Sequence, residues 1–224
     1  MNKILVHHHL GLGDHIICNG LINYLSKSKK IYLICKIQYY KNINYLYSQN
    51  KNVVVVPLTK FMYKSTKSEK RFSRIYSNLL RSKILYLGFN QQKGEYFDEL
   101  FYKQAAVDFS NRYDSFHVPE NSVNMIEKPD VEFRLVHRES SIKNYNLKIK
   151  SDDLLTIFVT RELGKNIFSY IDLIRSATEI HCVDSAFIHL VDSFGLSSNL
   201  YFHNIRKDDY RFNFKNNWKV INYE

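Results

Sequence analysis

At 224 residues, 45% hydrophobic and 24% charged, the chain has enough apolar material for one large α/β domain or two compact ones, and wholesale disorder is excluded. No apolar run approaches the ~20 residues that span a bilayer, and the first residues, Met-Asn-Lys-Ile-Leu-Val, meet histidines too soon to read as a signal peptide. A net charge of +10 supports acidic partners in general, whether phosphates, nucleotides, nucleic acid or anionic membrane, without choosing among them.

Residues 3–8 (Lys-Ile-Leu-Val-His-His) read as a short buried strand, followed by a turn at Gly11-Leu12-Gly13. A helix is expected to start at Asp14, since Ile16, Ile17, Gly20, Leu21, Tyr24 and Leu25 fall on one face. Residues 31–35 and the valines at 53–56 predict two further strands, with a helix over 39–48 between them. Their continuous apolarity suits parallel strands covered on both faces. Residues 60–83 are polar and basic with Glu69 as the sole acid, and predict a solvated basic helix over 68–80. A strand at 84–87 and a helix near 96–106 follow. The segment 127–130, with Pro129, is the expected boundary between an N-terminal unit (1–126) and a small C-terminal one (127–224). Beyond it, strands are expected at 131–137, 154–160, 179–183 and 199–203, with helices at 167–177 and 185–194. The pattern is α/β, two Rossmann-like units with a cleft between them. Cys18, Cys35 and Cys182 are odd in number and contain no Cys-x-x-Cys pair. That disfavours a disulfide framework or zinc ribbon and suits a reducing cytosol.

Gly11-Leu12-Gly13-Asp14 sits where the first strand passes into the first helix, at the sheet edge where open α/β folds bind ligands. It is no dinucleotide fingerprint: the third glycine is replaced by Ile16, and Asp14 would oppose a pyrophosphate. It is no Walker loop either, since no Gly-Lys-Ser/Thr follows. Asp14 can serve as a helix N-cap, as a general base held near a hydroxyl, or as both. His7, His8, His9 and His15 crowd the same edge. Strand geometry puts His7 and His9 on one face and His8 on the other, which disfavours a common metal ion. They line the strand end or contact an anionic substrate.

The second informative segment runs through Val183-Asp184-Ser185-Ala186 to His189-Leu190. A strand ends there and a helix begins, so its free amides can receive phosphate. Asp184 or Ser185 could instead be only a cap, and His189 only a core residue. Arg138 follows the strand ending at His137, the edge from which an arginine reaches a β-phosphate; a surface ion pair with Glu139 or Glu162 is the alternative. Glu162 itself could meet a ribose or face solvent. Asp152-Asp153 and Asp208-Asp209 read as turns or caps, and no Asp-x-Asp occurs.

Together these segments resemble the heptosyltransferase-like glycosyltransferases, family nine of the GT-B fold. The Gly11–Asp14 turn is similar to that family's acceptor-side start. Ile171-Asp172-Leu173-Ile174-Arg175-Ser176-Ala177, then Val183–Ala186 and His189, is similar to its donor side, with Ala186 where the family carries glycine. The resemblance implies that Asp14 deprotonates an acceptor hydroxyl. It also implies that Asp184, Ser185 and the amides after them hold the donor's diphosphate, with His189 beside it; the expected nucleotide-sugar site further includes Gly11, Gly13, Arg138 and Ala186.

The expected function is therefore metal-independent, inverting transfer of a sugar from a nucleotide-sugar to a glycan or lipid-linked acceptor. No cofactor is expected, the location is cytoplasmic, and peripheral contact with anionic membrane is allowed. A non-catalytic nucleotide-sugar or glycan-binding module of the same fold is the alternative. A nucleic-acid-binding role for 60–83 is less expected, because no RRM, KH or helix-turn-helix pattern occurs.

Overall fold

The computed structural model describes residues 2–119, 125–140, 143–160, 166–205 and 212–223. It divides into two compact units, one of Met1–Glu120 with Tyr210–Asn213, the other of Asn121–Asp209 with Phe214–Glu224. Each is built on its own parallel sheet.

In the first unit the strands β1 (Asn2–His7), β2 (Lys29–Lys36), β3 (Val53–Leu58) and β4 (Lys83–Tyr86) lie in the order β3-β2-β1-β4. Leu5 is in register with Tyr32 and with Ile84, so one row of apolar side chains crosses three strands. Helices α1 (Leu12–Ile17) and α2 (Asn19–Ser26) follow β1, α3 (Tyr40–Leu46) follows β2 after a 3₁₀ turn, and α4 (Thr66–Leu80) precedes β4. α5 (Phe97–Ala105) and α6 (Asn111–Asp114) close the unit. On one sheet face Leu5, Leu10, Ile34 and Leu58 form a core against which Tyr32, Phe72 and Tyr76 pack.

The single helix expected from Asp14 onward starts two residues earlier and is broken at Cys18. The cause is Tyr102, whose hydroxyl donates to the Ile17 carbonyl (2.8 Å) and accepts from the Leu21 N–H (3.2 Å). Those two groups would otherwise bond each other across one helical turn, so the phenol has inserted into the ladder. Gly20 in α2 allows α6 to approach closely, because a Cβ there would fall on the Asn111 carbonyl. The short α6 was not anticipated.

In the second unit β5 (Phe133–His137), β6 (Leu155–Phe158), β7 (Glu179–Val183), β8 (Asn199–Asn204) and β9 (Trp218–Asn222) lie in the order β6-β5-β7-β8-β9. A 3₁₀ turn leads into α7 (Ile171–Ser176), and α8 (Ala186–Asp192) follows β7. Ser185 caps α8, its hydroxyl accepting the Phe187 N–H at 3.2 Å. β9 also escaped the sequence pattern. The buried Asp192 carboxylate anchors the chain leading into it, accepting N–H groups of Lys215 and Asn216 and the Trp218 indole N–H. Asp152 lies exposed in a bend and accepts the Leu154 N–H at 3.2 Å, as a turn residue does, and its carboxylate also takes two bonds from the Arg134 guanidinium, 3.1 and 2.8 Å.

Candidate functional site

Both sheets have a switch point, where successive connections leave in opposite directions and the strand ends open a crevice for a ligand. In the first unit it lies between β1 and β4, in the second between β5 and β7. Gly11–Asp14 follows β1, and Asp184-Ser185 follows β7. Both motifs therefore stand at the carboxyl ends of switch-point strands in their own units.

In the first unit β1 stops at His7, and Leu10 takes a positive φ of 62° before the helix begins. Gly11, not Asp14, is the N-cap. Asp14 occupies the third helical position, and its Oδ2 accepts the Gly11 N–H at 2.8 Å. A Cβ on Gly11 would lie 2.6 Å from that oxygen, so this glycine lets the carboxylate fold back over the helix end. Gly13 lies within the first turn. Asp14 keeps partial exposure. Burial nevertheless raises its carboxyl from 3.8 to about 6, against the opposing Gly11 N–H and the charge of Lys36 at the end of β2.

The neighbouring histidines are not a polar rim. His7, His8 and His15 are buried and only His9 is exposed, so the simple strand alternation fails where β1 ends. His8 Nδ1 accepts the Leu10 N–H at 3.1 Å, and its ring meets His15 edge to face with centroids 4.2 Å apart. Burial lowers His8 well below 6.5 and takes His15 to about 3. Both are neutral and cannot attract an anion by charge. His9 packs on Phe89 and Phe97. His7 shares a hydrogen bond with Ser73 (2.7 Å) and stands 3.7 Å from Glu69. Ser73 is buried, so this Ser-His-Glu set presents no nucleophile.

In the second unit Ser185 Oγ lies 3.1 Å from His137 Nδ1, bridging the ends of β5 and β7. The His137 ring stacks on Phe187, with centroids 4.9 Å apart. Asp184, Ser185 and Ala186 are partly exposed at this edge. Arg138 is half-buried, its guanidinium 4.7 Å from the Phe158 ring centroid at the end of β6. His189 is placed inside the unit instead, buried one turn into α8 with its ring 6.2 Å from Phe214. Glu162 and Asp208-Asp209 lie outside the described residues.

Sequence reasoning did not assign His137 or Lys36 to the sites. The available signal was position: each is the last residue of a strand neighbouring a motif-bearing element. Among the described residues no three His, Cys, Asp or Glu side chains converge as a metal-binding set. All three cysteines are free and buried.

No family model matches the sequence, and no curated protein matches it. Among solved structures, the family 9 glycosyltransferase of Veillonella parvula DSM 2008 superposes with a TM-score of 0.59 at 10% identity, over 100% of this chain and 88% of that one. The E. coli ADP-heptose LPS heptosyltransferase II gives 0.57 at 9% identity, over 99% and 90%. E. coli heptosyltransferase WaaC with ADP gives 0.53 at 10% identity, over 100% and 91%. With identity this low it is the architecture that is shared, and these α/β units on two parallel sheets have the fold of the family 9 glycosyltransferases.

Proposed function

We propose that the chain is a glycosyltransferase that moves a sugar from a nucleotide-sugar to a hydroxyl acceptor, with inversion and without a metal. The observation that carries this reading is the Asp14 carboxylate, held by the Gly11 N–H at a switch-point strand end and raised to about 6. A carboxyl in that range is ionised at neutral pH yet basic enough to take a proton in a transition state. In the proposed step Asp14 accepts the acceptor O–H proton. The freed oxygen attacks the anomeric carbon, and the bond from that carbon to the phosphate oxygen breaks. The nucleoside diphosphate departs with the electron pair.

The donor is assigned to the second unit. Arg138 supplies positive charge to the diphosphate, and Asp184, Ser185 and the first amides of α8 supply polar contacts. The His137–Ser185 bond orients the serine. The structural neighbours support this direction, one having been solved with ADP and one with ADP-2-deoxy-2-fluoro heptose. The acceptor is a glycan or lipid-linked hydroxyl. A panel of nucleoside diphosphates and their sugars tests the reading, by thermal shift with and without EDTA and then by release of nucleoside diphosphate in the presence of acceptors. Binding that needs magnesium or manganese would refute the metal-free mechanism. Binding without any turnover would leave a sugar-nucleotide-binding module.

A further inference from the structure

Helix α4 covers its sheet with one side only. Ser73 and Ser77 are buried on that side, and Phe72 and Tyr76 pack against the core. On the opposite side Lys67, Arg71, Ile75 and Leu79 follow one another at four-residue intervals, which places them in one row along the helix. All four are exposed, as are Arg74 and Asn78 beside them. Ile75 is 60% and Leu79 76% exposed, and Phe61 in the preceding turn is 75% exposed, with Lys64 Nζ 4.8 Å from its ring centroid. The single acid in this region, Glu69, is turned inward toward His7 with its side chain only 12% exposed. The outer face thus joins large apolar side chains to Lys64, Lys67, Arg71 and Arg74 with no anion among them.

We propose that α4 and its preceding turn dock this unit on an anionic phospholipid surface. Ile75, Leu79 and Phe61 enter the acyl boundary, and the lysine and arginine stems extend back to the lipid phosphates. Charge complementarity selects this occupant. A second copy of the same face would set cations against cations. A nucleic acid would satisfy the cations but leave the aliphatic row in water, since single strands stack on aromatic side chains and duplex backbones take charge alone. The inference does not depend on glycosyl transfer.

Co-sedimentation of the full chain with vesicles tests it, using phosphatidylcholine alone and an equimolar mixture with phosphatidylglycerol. The mixed vesicles should bind at least tenfold more tightly at low salt and lose the protein at high salt. Arg71→Ala with Arg74→Ala should weaken binding roughly thirtyfold. Ile75→Ser with Leu79→Ser should weaken it at least tenfold while leaving the salt dependence intact. Both pairs replace exposed residues, so circular dichroism should show the native helix content. Failure to bind mixed vesicles at low salt, equal binding to neutral vesicles, or an unchanged serine variant would overturn the proposal. So would DNA binding tighter than vesicle binding and indifferent to the serine pair.

Discussion

Two opposed influences act on Asp14. Burial favours the neutral acid, while the Gly11 N–H and the Lys36 charge favour the anion, and burial wins. Because the folded value of about 6 exceeds the ordinary carboxyl value of 3.8, the folded state holds the proton more tightly, and the stability this gives is lost as pH rises through that window. The ionised carboxylate is thus a cost to folding that a purely structural cap would not carry. Asp14→Asn retains an oxygen for the Gly11 N–H, so stability at neutral pH should be equal or slightly higher. Transfer should nonetheless fall by on the order of 10²–10⁴-fold, and the wild-type rate should lose its alkaline form below about pH 6. Full activity in the asparagine variant would reduce Asp14 to a helix-end acceptor. Arg138→Ala should act on the other side of the reaction. Loss of a charge-assisted bond to phosphate weakens nucleotide affinity by about 1.5–3 kcal/mol, which calorimetry with a nucleoside diphosphate would read directly.

Individual elements were legible where one sequence run supplies both faces of a strand. Residues 3–8 and 179–183 are such runs, and the observed strands Asn2–His7 and Glu179–Val183 fall on them. The helix break at Cys18 was not legible, because it depends on the hydroxyl of Tyr102, more than eighty residues away. β9 was missed for a related reason. Trp-Lys-Val-Ile-Asn alternates too weakly to declare a strand, and the chain is delivered there by Asp192. The Gly11–Asp14 turn could be read, whereas the donor of its capping bond could not, since the glycine amide rather than the aspartate marks the helix end. A further pattern needs the pairing of β7, β8 and β9 to exist at all. Tyr223 accepts the Lys148 N–H and so directs its own proton to His203 Nδ1 (2.7 Å). His203 Nε2–H then faces His181 Nδ1 at 2.9 Å, and His181 Nε2–H points toward Glu179 at 3.4 Å. Both rings are neutral in this chain of bonds, and burial lowers them, His203 to about 4. Their unfolded forms protonate near 6.5, so this contribution is complete above that pH and is lost as pH falls toward 4. Urea unfolding at pH 7.5 and 4.5 should show the loss, and His203→Gln should reduce the difference. An unchanged difference would exclude these rings as its source.

At the scale of the whole chain, one buried carboxylate ties a late segment into the first unit. Asp98 in α5 pairs with Arg112 of α6, both buried. Its two oxygens also accept the Asn213 N–H at 3.2 and 3.0 Å. It thereby holds residue 213 to the first unit, between two stretches of chain that belong to the second. A buried pair of this kind stabilises little relative to an apolar substitute, but removing one partner strands the other charge. Asp98→Ala is therefore expected to cost about 3–5 kcal/mol. Asp98→Leu with Arg112→Met removes both charges and should cost less than the single change. A double-mutant cycle by denaturant unfolding separates the penalty of an abandoned guanidinium from the loss of the Asn213 tether. If the double variant were as unstable as the single one, the tether would be the larger contribution. Asn213→Pro, which removes the donated N–H while leaving the ion pair in place, should then reproduce most of the loss.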